Sequence, residues 1–347
     1  MDACTSDYLH IADPHLTREL DRLCTRDGLG AALLDGLRRQ QVEAGFIQDD
    51  LSEAQRFEFP HPDGDGRYFS AQFNPARARR LGGRGLSKPP PGMCSINDGC
   101  FLCAANIEWQ QQGVESGYAL PFGDLPAIAW MNPFPLAPGH AVVASRDHLH
   151  QHWEDNDIGL DRLVDHLVGL ADRLPGWITF YNGVGAGASI ETHLHVHALP
   201  RTPGLPPMPI EQAAAQHRPA PADAPLELAV VRGAYPMDFA HWRGRRAILA
   251  DAVPAWLQAW QLQRRGDRDA TANVMAVRHR HAPVLDVYFV PRARSRSRAE
   301  GLGGVIGAFE AMGEIVCSQP DEHRRLLQGE VDHATVDAML RAVSVTL

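Results

Sequence analysis

The spacing of hydrophobic residues predicts a chain of alternating helices and short strands. Leucines recur among charged residues with a helical period near the N-terminus, which predicts helix over residues 14–56. The runs FEF and RYFSAQF alternate between apolar and polar residues on either side of a turn-forming PHPDGDG segment, so they predict a β-hairpin. Further along, strands are predicted at 127–131, 140–144, 177–181 and 193–199, with a helix over 159–174.

A second group of elements follows a segment rich in proline and alanine at residues 203–225, a composition typical of a linker. Beyond it, the pattern predicts strands at 226–232, 272–277 and 284–290, a helix at 252–263 and more helix toward the end. Strands and helices in both parts, with hairpin-like pairing, indicate an α+β fold with antiparallel sheets. The predicted domains are residues 1–202 and 226–347, joined by the linker 203–225.

The composition narrows the class of protein. Hydrophobic residues make up 44% and charged residues 22% of the 347 positions, which is typical of a globular protein with a substantial core. The formal net charge of −9 argues against broad binding to nucleic acid or to an anionic membrane. No apolar run suits a transmembrane helix, and the N-terminus lacks the basic and apolar regions of a signal peptide. These features predict a cytoplasmic protein that binds neither nucleic acid nor membrane.

Three histidines alternate with apolar residues in the segment THLHVHALPR. Side chains two residues apart share one face of a strand, so His193, His195 and His197 are predicted to project to the same side. The glycine-rich turn at 182–189 can bring backbone N–H groups and the Ser189 hydroxyl close to phosphate oxygens. This arrangement favours phosphoryl or nucleotidyl transfer through a covalent intermediate on one imidazole. A transition-metal site and a polar face without a function are the alternatives.

The string HLHVHALPR at residues 193–201 resembles the signature of the histidine-triad (HIT) superfamily. The longer string FYNGVGAGASIETHLHVH, with AQFNPAR, CFLCAAN, MNPFPLAPGH and RDHLHQ, is similar to a bacterial branch of that superfamily. This branch is related to GDP-hexose phosphorylases, dinucleoside-polyphosphate phosphorylases and galactose-1-phosphate uridylyltransferase. The resemblance implies a HIT-like antiparallel sheet flanked by helices within residues 1–202, after an N-terminal extension. It also raises the question of whether residues 226–347 are a degenerate second copy.

The resemblance further implies roles for the residues around the triad. His195 would be the nucleophile, His197 would position the nucleotidyl group, and Asn182, Gly187 and Ser189 would lie at the phosphates. The implied activity is that of a nucleotidyltransferase or phosphorylase acting on a nucleotide sugar or a dinucleoside polyphosphate, through a nucleotidyl-His195 intermediate. No redox cofactor is implied, and a homodimer is compatible with the resemblance.

Two other functions stay open at this point. Phosphorylases and transferases of the superfamily usually have glutamine at the position of His197, whereas hydrolases have histidine. A HIT-type hydrolase of nucleotide conjugates is therefore one alternative. A non-catalytic metal- or nucleotide-binding protein that uses the histidines as ligands is the other.

Cys100 and Cys103 form a Cys-x-x-Cys pair, which in a cytosolic chain indicates a metal knuckle or a redox pair. Zinc takes four tetrahedral ligands. In zinc-containing members of the superfamily, the other two ligands are a histidine after the Gly-His strand and the first triad histidine. These positions match His148 and His193, so the resemblance implies a structural Zn²⁺ site that ties the cysteine turn to the catalytic strand. A pair of metal-free buried cysteines, or ligation by His150 in place of His148, are the alternatives.

Three further positions resemble substrate-binding residues. Asn74 and Arg77 in QFNPAR resemble a substrate-facing motif, and arginine can contact phosphate through two hydrogen bonds at once. A surface arginine in a salt bridge is the alternative. Asn132, in MNPFP, resembles a position that lines the nucleotide pocket. The arginines at 292, 294 and 296 form a charge run of the kind that usually marks a solvated face, although they could also serve an anionic substrate.

Overall fold

The computed structural model describes residues 14–47, 50–64, 68–82, 97–100, 102–103, 106, 117–201, 206–218 and 224–347. The strands are β1 (Gln55–Pro60), β2 (Tyr68–Phe73), β3 (Tyr118–Phe122), β4 (Leu125–Met131), β5 (Ala141–Ser145), β6 (Trp177–Asn182), β7 (His195–Pro200), β8 (Leu226–Val231), β9 (Phe239–Gly244), β10 (Ala270–Arg278), β11 (Leu285–Ala293) and β12 (Glu314–Cys317).

The helices of the described residues are mostly short. They are α1 (Pro14–Asp27), α2 (Leu29–Ala31), a π-helical stretch (Ala32–Arg38), α3 (Arg39–Glu43), α4 (Leu160–Asp172), α5 (Pro209–Gln216), α6 (Arg246–Gln263), α7 (Ala308–Ala311), α8 (Pro320–Leu327) and α9 (His333–Ala342). Short 3₁₀ turns cover Pro75–Gly82, Asn97–Gly99 and Arg294–Arg296. Within the described part of the chain, we find no helix with the length and apolar character needed to cross a membrane.

Nine of the described strands form one antiparallel sheet in the order β3-β4-β5-β7-β6-β10-β11-β9-β8. Two units of the fold have the same sequence of elements along the chain, namely β4-β5-α4-β6-β7 and β8-β9-α6-β10-β11. From the edge of the sheet to its centre, their strands also occur in the same order, β4-β5-β7-β6 in the first and β8-β9-β11-β10 in the second. They meet where β6 pairs with β10, and in that register Asn182 lies opposite Asn273. The fold is therefore α+β and contains a topological repeat, which agrees with the expected second half of the same kind.

The central sheet is covered on both faces. Helices α4 and α6 pack against each other on one face, where Leu163 and Leu167 of α4 and Leu249 of α6 belong to one buried apolar cluster. The other face carries a second apolar cluster, which it shares with α5, α7, α8, α9 and the small sheet β1-β2-β12. Because both faces are covered, every residue of β10 from 271 to 277 is buried, and the strand lacks an exposed side.

Several predicted elements are confirmed and two need correction. The hairpin is confirmed, since β1 pairs with β2 in antiparallel register. The helix predicted over 14–56 is wrong beyond residue 43, because the chain turns at Gly45 with a φ of 71° and β1 begins at residue 55. The segment predicted as a linker contains α5, which starts with a proline and buries Ile210 and Ala214. Residues 202–205 and 219–223 of that region lie outside the described residues, and the domain boundaries remain a prediction.

Candidate active site and metal centre

The candidate active site lies where β6 and β7 separate. The two strands pair up to Phe180 and His197, and beyond that point the buried side chain of Gln151 bridges them. Gln151 Nε2 donates to the main-chain oxygens of Asn182, at 2.8 Å, and His195, at 3.1 Å. The backbone N–H of His195 donates to Gln151 Oε1 at 2.8 Å. Asn182 and His195 are thereby held side by side at the end of the strand pair.

The imidazole of His195 is buried and held by its own chain. Its Nδ1 lies 2.8 Å from the main-chain oxygen of His193. A carbonyl oxygen only accepts hydrogen bonds, so Nδ1 carries the proton in the neutral imidazole and Nε2 carries the lone pair. This tautomer leaves a nucleophilic nitrogen on the side of the ring opposite the His193 carbonyl.

His197 ends a chain of hydrogen bonds that also determines its tautomer. The backbone N–H of Leu136 donates to His140 Nδ1 at 3.1 Å, so the proton of the neutral His140 imidazole is on Nε2. His140 Nε2 then donates to His197 Nδ1 at 3.0 Å, which leaves the His197 proton on its Nε2. The rings of His195 and His197 meet edge to face with centroids 5.2 Å apart. One imidazole thus presents a lone pair and its neighbour a donor.

The glycine turn after β6 packs closely against the second half of the protein. Gly187 adopts a φ of 99°, and a Cβ at this residue would lie 2.3 Å from the Cα of Gly307. A Cβ at Gly183 would lie 2.6 Å from the main-chain oxygen of Ala272. Ser189, at the far end of the turn, is exposed. Glycine at 183 and 187 therefore allows the turn to pack directly against the backbone of the second half.

The substrate-binding candidates outside the turn support a neighbouring loop. Asn74 is fully buried and its Oδ1 accepts from the backbone of Ala76 at 3.0 Å. Arg77 Nη1 donates to the main-chain oxygen of Phe134 at 2.5 Å, and Asn132 Oδ1 accepts from the backbone of Phe134 at 3.0 Å. The contacts of Arg77 and Asn132 hold the loop that leads to His140, whereas that of Asn74 stabilises its own turn. Contact of Asn74, Arg77 or Asn132 with a substrate remains a prediction.

Cys100, Cys103, His148 and His193 meet in one cluster, as the resemblance implied. His193 Nδ1 lies 3.5 Å from each cysteine Sγ and 3.3 Å from His148 Nδ1, which in turn lies 3.1 Å from Cys103 Sγ. Ligands of a tetrahedral zinc ion lie about 3.5 Å apart, given bond lengths of about 2.0–2.3 Å. The hydrogen bond from Cys103 and the nearby His193 imidazole lower the pKa of the Cys100 thiol to about 3. Two thiols and two imidazoles in this geometry fit a metal ion such as zinc.

His193 belongs to this cluster and not to strand β7. Its Nε2 lies 2.7 Å from the main-chain oxygen of Ser145, so Nε2 donates and Nδ1 turns its lone pair toward the cysteines. Strand β7 begins only at His195. The strand predicted from residue 193 thus begins two residues later: His195 and His197 lie on β7, whereas His193 precedes it and joins the cysteine cluster, as the resemblance implied.

Some residues of the site could not be identified from local sequence. Asn273 and Arg292 come from the second half, and Arg292 is only 1% exposed, so its assignment to a solvated face is wrong. An asparagine inside the otherwise apolar strand β10 was the available signal for the first of them. Gln151 gave no signal beyond its place in the RDHLHQ string, because its contacts depend on where β6 and β7 diverge.

Comparisons with known proteins support the fold. Residues 37–200 match a family described as "Domain of unknown function (DUF4922)". No curated protein matches the chain. The solved structure of yeast Ap4A phosphorylase Apa2 is 14% identical, with a TM-score of 0.57 over 90% of this chain and 94% of that chain.

Two complexes of the same yeast enzyme give similar values. The complex with AMP has a TM-score of 0.54 at 14% identity over 89% of this chain and 96% of that chain. The complex with Ap4A has a TM-score of 0.54 at 12% identity over 89% and 97% of the respective chains. The chain therefore has the fold of the yeast Ap4A phosphorylase across both halves, in agreement with its resemblance to the HIT superfamily.

Proposed function

We propose that this protein is a nucleotidyltransferase or phosphorylase that acts on a dinucleoside polyphosphate or a nucleotide sugar through a nucleotidyl-His195 intermediate. The observation that carries the proposal is the 2.8 Å contact between His195 Nδ1 and the main-chain oxygen of His193. It holds the imidazole in the tautomer and orientation that a nucleophile at phosphorus requires. The fold shared with an enzyme solved with AMP and with Ap4A supports nucleotide substrates.

The reaction would consist of two displacements at the α-phosphorus. In the first, the lone pair of His195 Nε2 forms an N–P bond while the P–O bond to the leaving phosphate breaks, and that bond's electron pair stays on the leaving oxygen. In the second, an oxygen of phosphate, of a sugar phosphate or of water attacks the same phosphorus. The N–P bond then breaks and its electrons return to Nε2. Because only neutral His195 is nucleophilic, the rate falls at acid pH.

The neighbouring groups would stabilise the charge that develops during these steps. The His197 Nε2–H would donate to the leaving oxygen, since Nδ1 accepts from His140. The backbone N–H groups of Gly185, Ala186 and Ala188 already donate within the protein, so the turn would offer the phosphate the Gly187 N–H and the Ser189 hydroxyl. As His195 bonds to phosphorus its ring becomes positively charged, and the carbonyl that accepts from Nδ1 stabilises that charge.

The Cys100, Cys103, His148 and His193 cluster would hold a structural zinc ion. Four protein ligands complete a tetrahedron and leave no position for a reacting water, so the ion would contribute rigidity. His193 would supply one metal ligand through its side chain, and its main-chain carbonyl orients His195. The cluster would therefore keep the nucleophile in place.

A trapping experiment tests the proposal. The protein would be incubated with Ap4A and a panel of nucleotide sugars, with and without inorganic phosphate. The reaction would be quenched in alkali, and the mass of the protein would be measured by intact-protein mass spectrometry. We expect the mass of one nucleotidyl group on the wild type and none on His195→Ala, which should also lose turnover. His281→Ala, at an exposed position, is the matched control and should keep both. Turnover by His195→Ala would overturn the proposal.

The same incubation separates phosphorolysis from hydrolysis. The histidine at 197 favours a hydrolase, whereas the two-half fold shared with Apa2 favours a phosphorylase. Phosphorolysis transfers the nucleotidyl group to phosphate and releases a nucleoside diphosphate, whereas hydrolysis releases the monophosphate. We expect product formation to depend on phosphate, and a rate that does not respond to phosphate would assign the hydrolase function instead.

A further inference from the structure

Arg292, near the end of β11, is a buried cation that forms no ion pair with any described residue. Its guanidinium is 1% exposed and donates only to neutral oxygens. Nη1 contacts Asn273 Oδ1 at 2.7 Å and the main-chain oxygen of Ile306 at 2.8 Å, and Nη2 contacts the main-chain oxygen of Arg296 at 3.3 Å. The charge of Glu310 acts on this guanidinium from beyond ion-pair distance. Burying a charge whose hydrogen bonds all go to neutral groups is costly, which suggests that the position serves a purpose beyond packing.

The first contact determines how the Asn273 amide is oriented. An amide can present either its oxygen or its NH₂ group to a neighbour, but a guanidinium only donates. Arg292 therefore selects the orientation in which Asn273 Oδ1 faces it, and the NH₂ group points to the other side. There Asn273 Nδ2 donates to Asn182 Oδ1 at 3.2 Å and to the main-chain oxygen of Ala186 at 2.6 Å.

The second amide is oriented by the first. Asn182 Oδ1 accepts from Asn273 and also from the backbone N–H of Ala308, at 2.7 Å, so two donors hold it. The Asn182 NH₂ group must then point away from both donors, and no described residue accepts from it.

The side chains of Asn182 and His195 lie on the same face of the sheet. Phe180 stacks on His197 with ring centroids 4.7 Å apart, so these opposed residues of β6 and β7 share a face. Asn182 follows Phe180 by two residues and His195 precedes His197 by two, which places both on that same face. Gln151 bridges their main-chain oxygens and keeps them adjacent.

We infer that Arg292 is a positioning residue that acts through Asn273 to turn the NH₂ group of Asn182 toward the phosphate attacked by His195. The inference rests on the proposed function and adds two residues of the second half to the site. Every link follows from which groups can donate and which can accept. A flipped Asn182 would present an oxygen to an anionic phosphate, which would repel it.

We call the hydrogen bonds from Arg292 through Asn273 to Asn182 the relay. The variant Asn273→Asp disrupts it with almost no change in the size of the side chain. The new carboxylate still accepts from Arg292, and the nearby guanidinium keeps it ionised, but it can no longer donate to Asn182 Oδ1. A carboxylate facing Asn182 Oδ1 is repelled by it, and we expect this repulsion to outweigh the remaining hydrogen bond from the Ala308 N–H, so that the Asn182 amide flips. AMP affinity should then fall about tenfold or more, since a hydrogen bond to a charged oxygen is lost. A role limited to packing predicts unchanged AMP affinity whenever the thermal midpoint is retained.

A double-mutant cycle shows whether the effect passes through Asn182. Asn182→Ala alone should weaken AMP binding, and on that background Asn273→Asp should cause no further loss. Additive losses would overturn the relay, because Asn273 would then act by another route such as its contact with Ala186. If the wild type bound no AMP and formed no adduct with any substrate of the panel, the proposed function would fail. The relay would then be tested separately, by the NMR measurement described next, which needs no ligand.

Side-chain amide exchange measured by NMR tests the relay without any ligand. In the wild type, the NH₂ protons of Asn273 should exchange slowly with water, and those of Asn182 should exchange quickly. In Asn273→Asp, the Asn182 NH₂ protons should shift and become protected as they turn to the carboxylate. Protected Asn182 protons in the wild type, or an unchanged Asn182 signal in the variant, would contradict the inferred orientation.

Discussion

His140 Nε2 lies 3.0 Å from His197 Nδ1, and the direction of this hydrogen bond is determined by the backbone N–H of Leu136 on the far side of the His140 ring. Both imidazoles are buried, so solvent does not readily replace the contact. A histidine that precedes strand β5 thereby controls which nitrogen of the triad residue carries a proton.

Replacing His140 with leucine should slow the step that needs a donor at His197. Leucine cannot donate to His197 Nδ1, so the His197 proton is no longer directed to Nε2. We expect kcat to fall about tenfold or more for substrates with a poor leaving group and less for an activated aryl ester. Steady-state kinetics on both substrate types would measure the difference. His140→Gln, whose amide can donate and accept, should restore part of the loss, and equal losses on both substrates would contradict this role.

Removal of the metal should affect stability and activity together. We expect about one zinc per chain in the purified protein, because four ligand atoms converge in one closed cluster. Cys103→Ser should lose the metal, lower the thermal midpoint and reduce adduct formation, since His193 is then released. Metal analysis and thermal denaturation measure these effects, with Cys24→Ser as the control, since Cys24 packs against a different apolar cluster from Cys100 and Cys103. Zinc retained in Cys103→Ser, or lost in His195→Ala, would place the metal elsewhere.

Alanine at Gly187 should be far more damaging than alanine at another left-handed glycine. Gly187 has a φ of 99° and a new Cβ would lie 2.3 Å from the Gly307 backbone. Gly233 has a φ of 72° with no atom within 4 Å of such a Cβ. We expect unfolding free energy to fall by about 1 kcal/mol in Gly233→Ala and by about 3 kcal/mol in Gly187→Ala, where a clash is added. Chemical denaturation tests this, and equal losses would argue against the close approach.

His152 should make the protein sensitive to acid. Its buried ring packs against Trp153 with centroids 4.2 Å apart and ring planes tilted by 37°, and neither ring nitrogen hydrogen-bonds to a described residue. Burial, followed by the positive charge of Arg294, lowers the pKa of His152 to about 4. Between pH 4 and an unfolded pKa of about 6.5, the unfolded chain binds a proton that the folded protein does not. Stability therefore decreases as the pH falls through this window.

The variant His152→Phe isolates that contribution. Phenylalanine keeps the packing against Trp153 and has no nitrogen to protonate. Relative to the wild type, its unfolding free energy should rise as the pH is lowered from 7 to 4, by at most about 3 kcal/mol. Urea denaturation at several pH values would measure this difference. A constant difference between the two proteins across this range would show that His152 does not titrate in this way.

The sequence by itself determined the local parts of this protein. The alternation THLHVHALPR predicted β7, the FEF and RYFSAQF runs predicted the hairpin, and the leucine stripe predicted α4, because each pattern reflects one face of one element. The four residues of the metal cluster were also predicted from their resemblance to the superfamily, and they do converge.

Only the tertiary structure decided which distant groups complete the site. The pairing of β6 with β10 places Asn182 opposite Asn273, and the Arg292 side chain reaches Asn273 from β11. The partner of His197 is likewise a residue 57 positions away. These contacts follow from how the two halves share one sheet. Strand pairing and amide orientation depend on groups that are far apart in the chain, and no local periodicity contains that information.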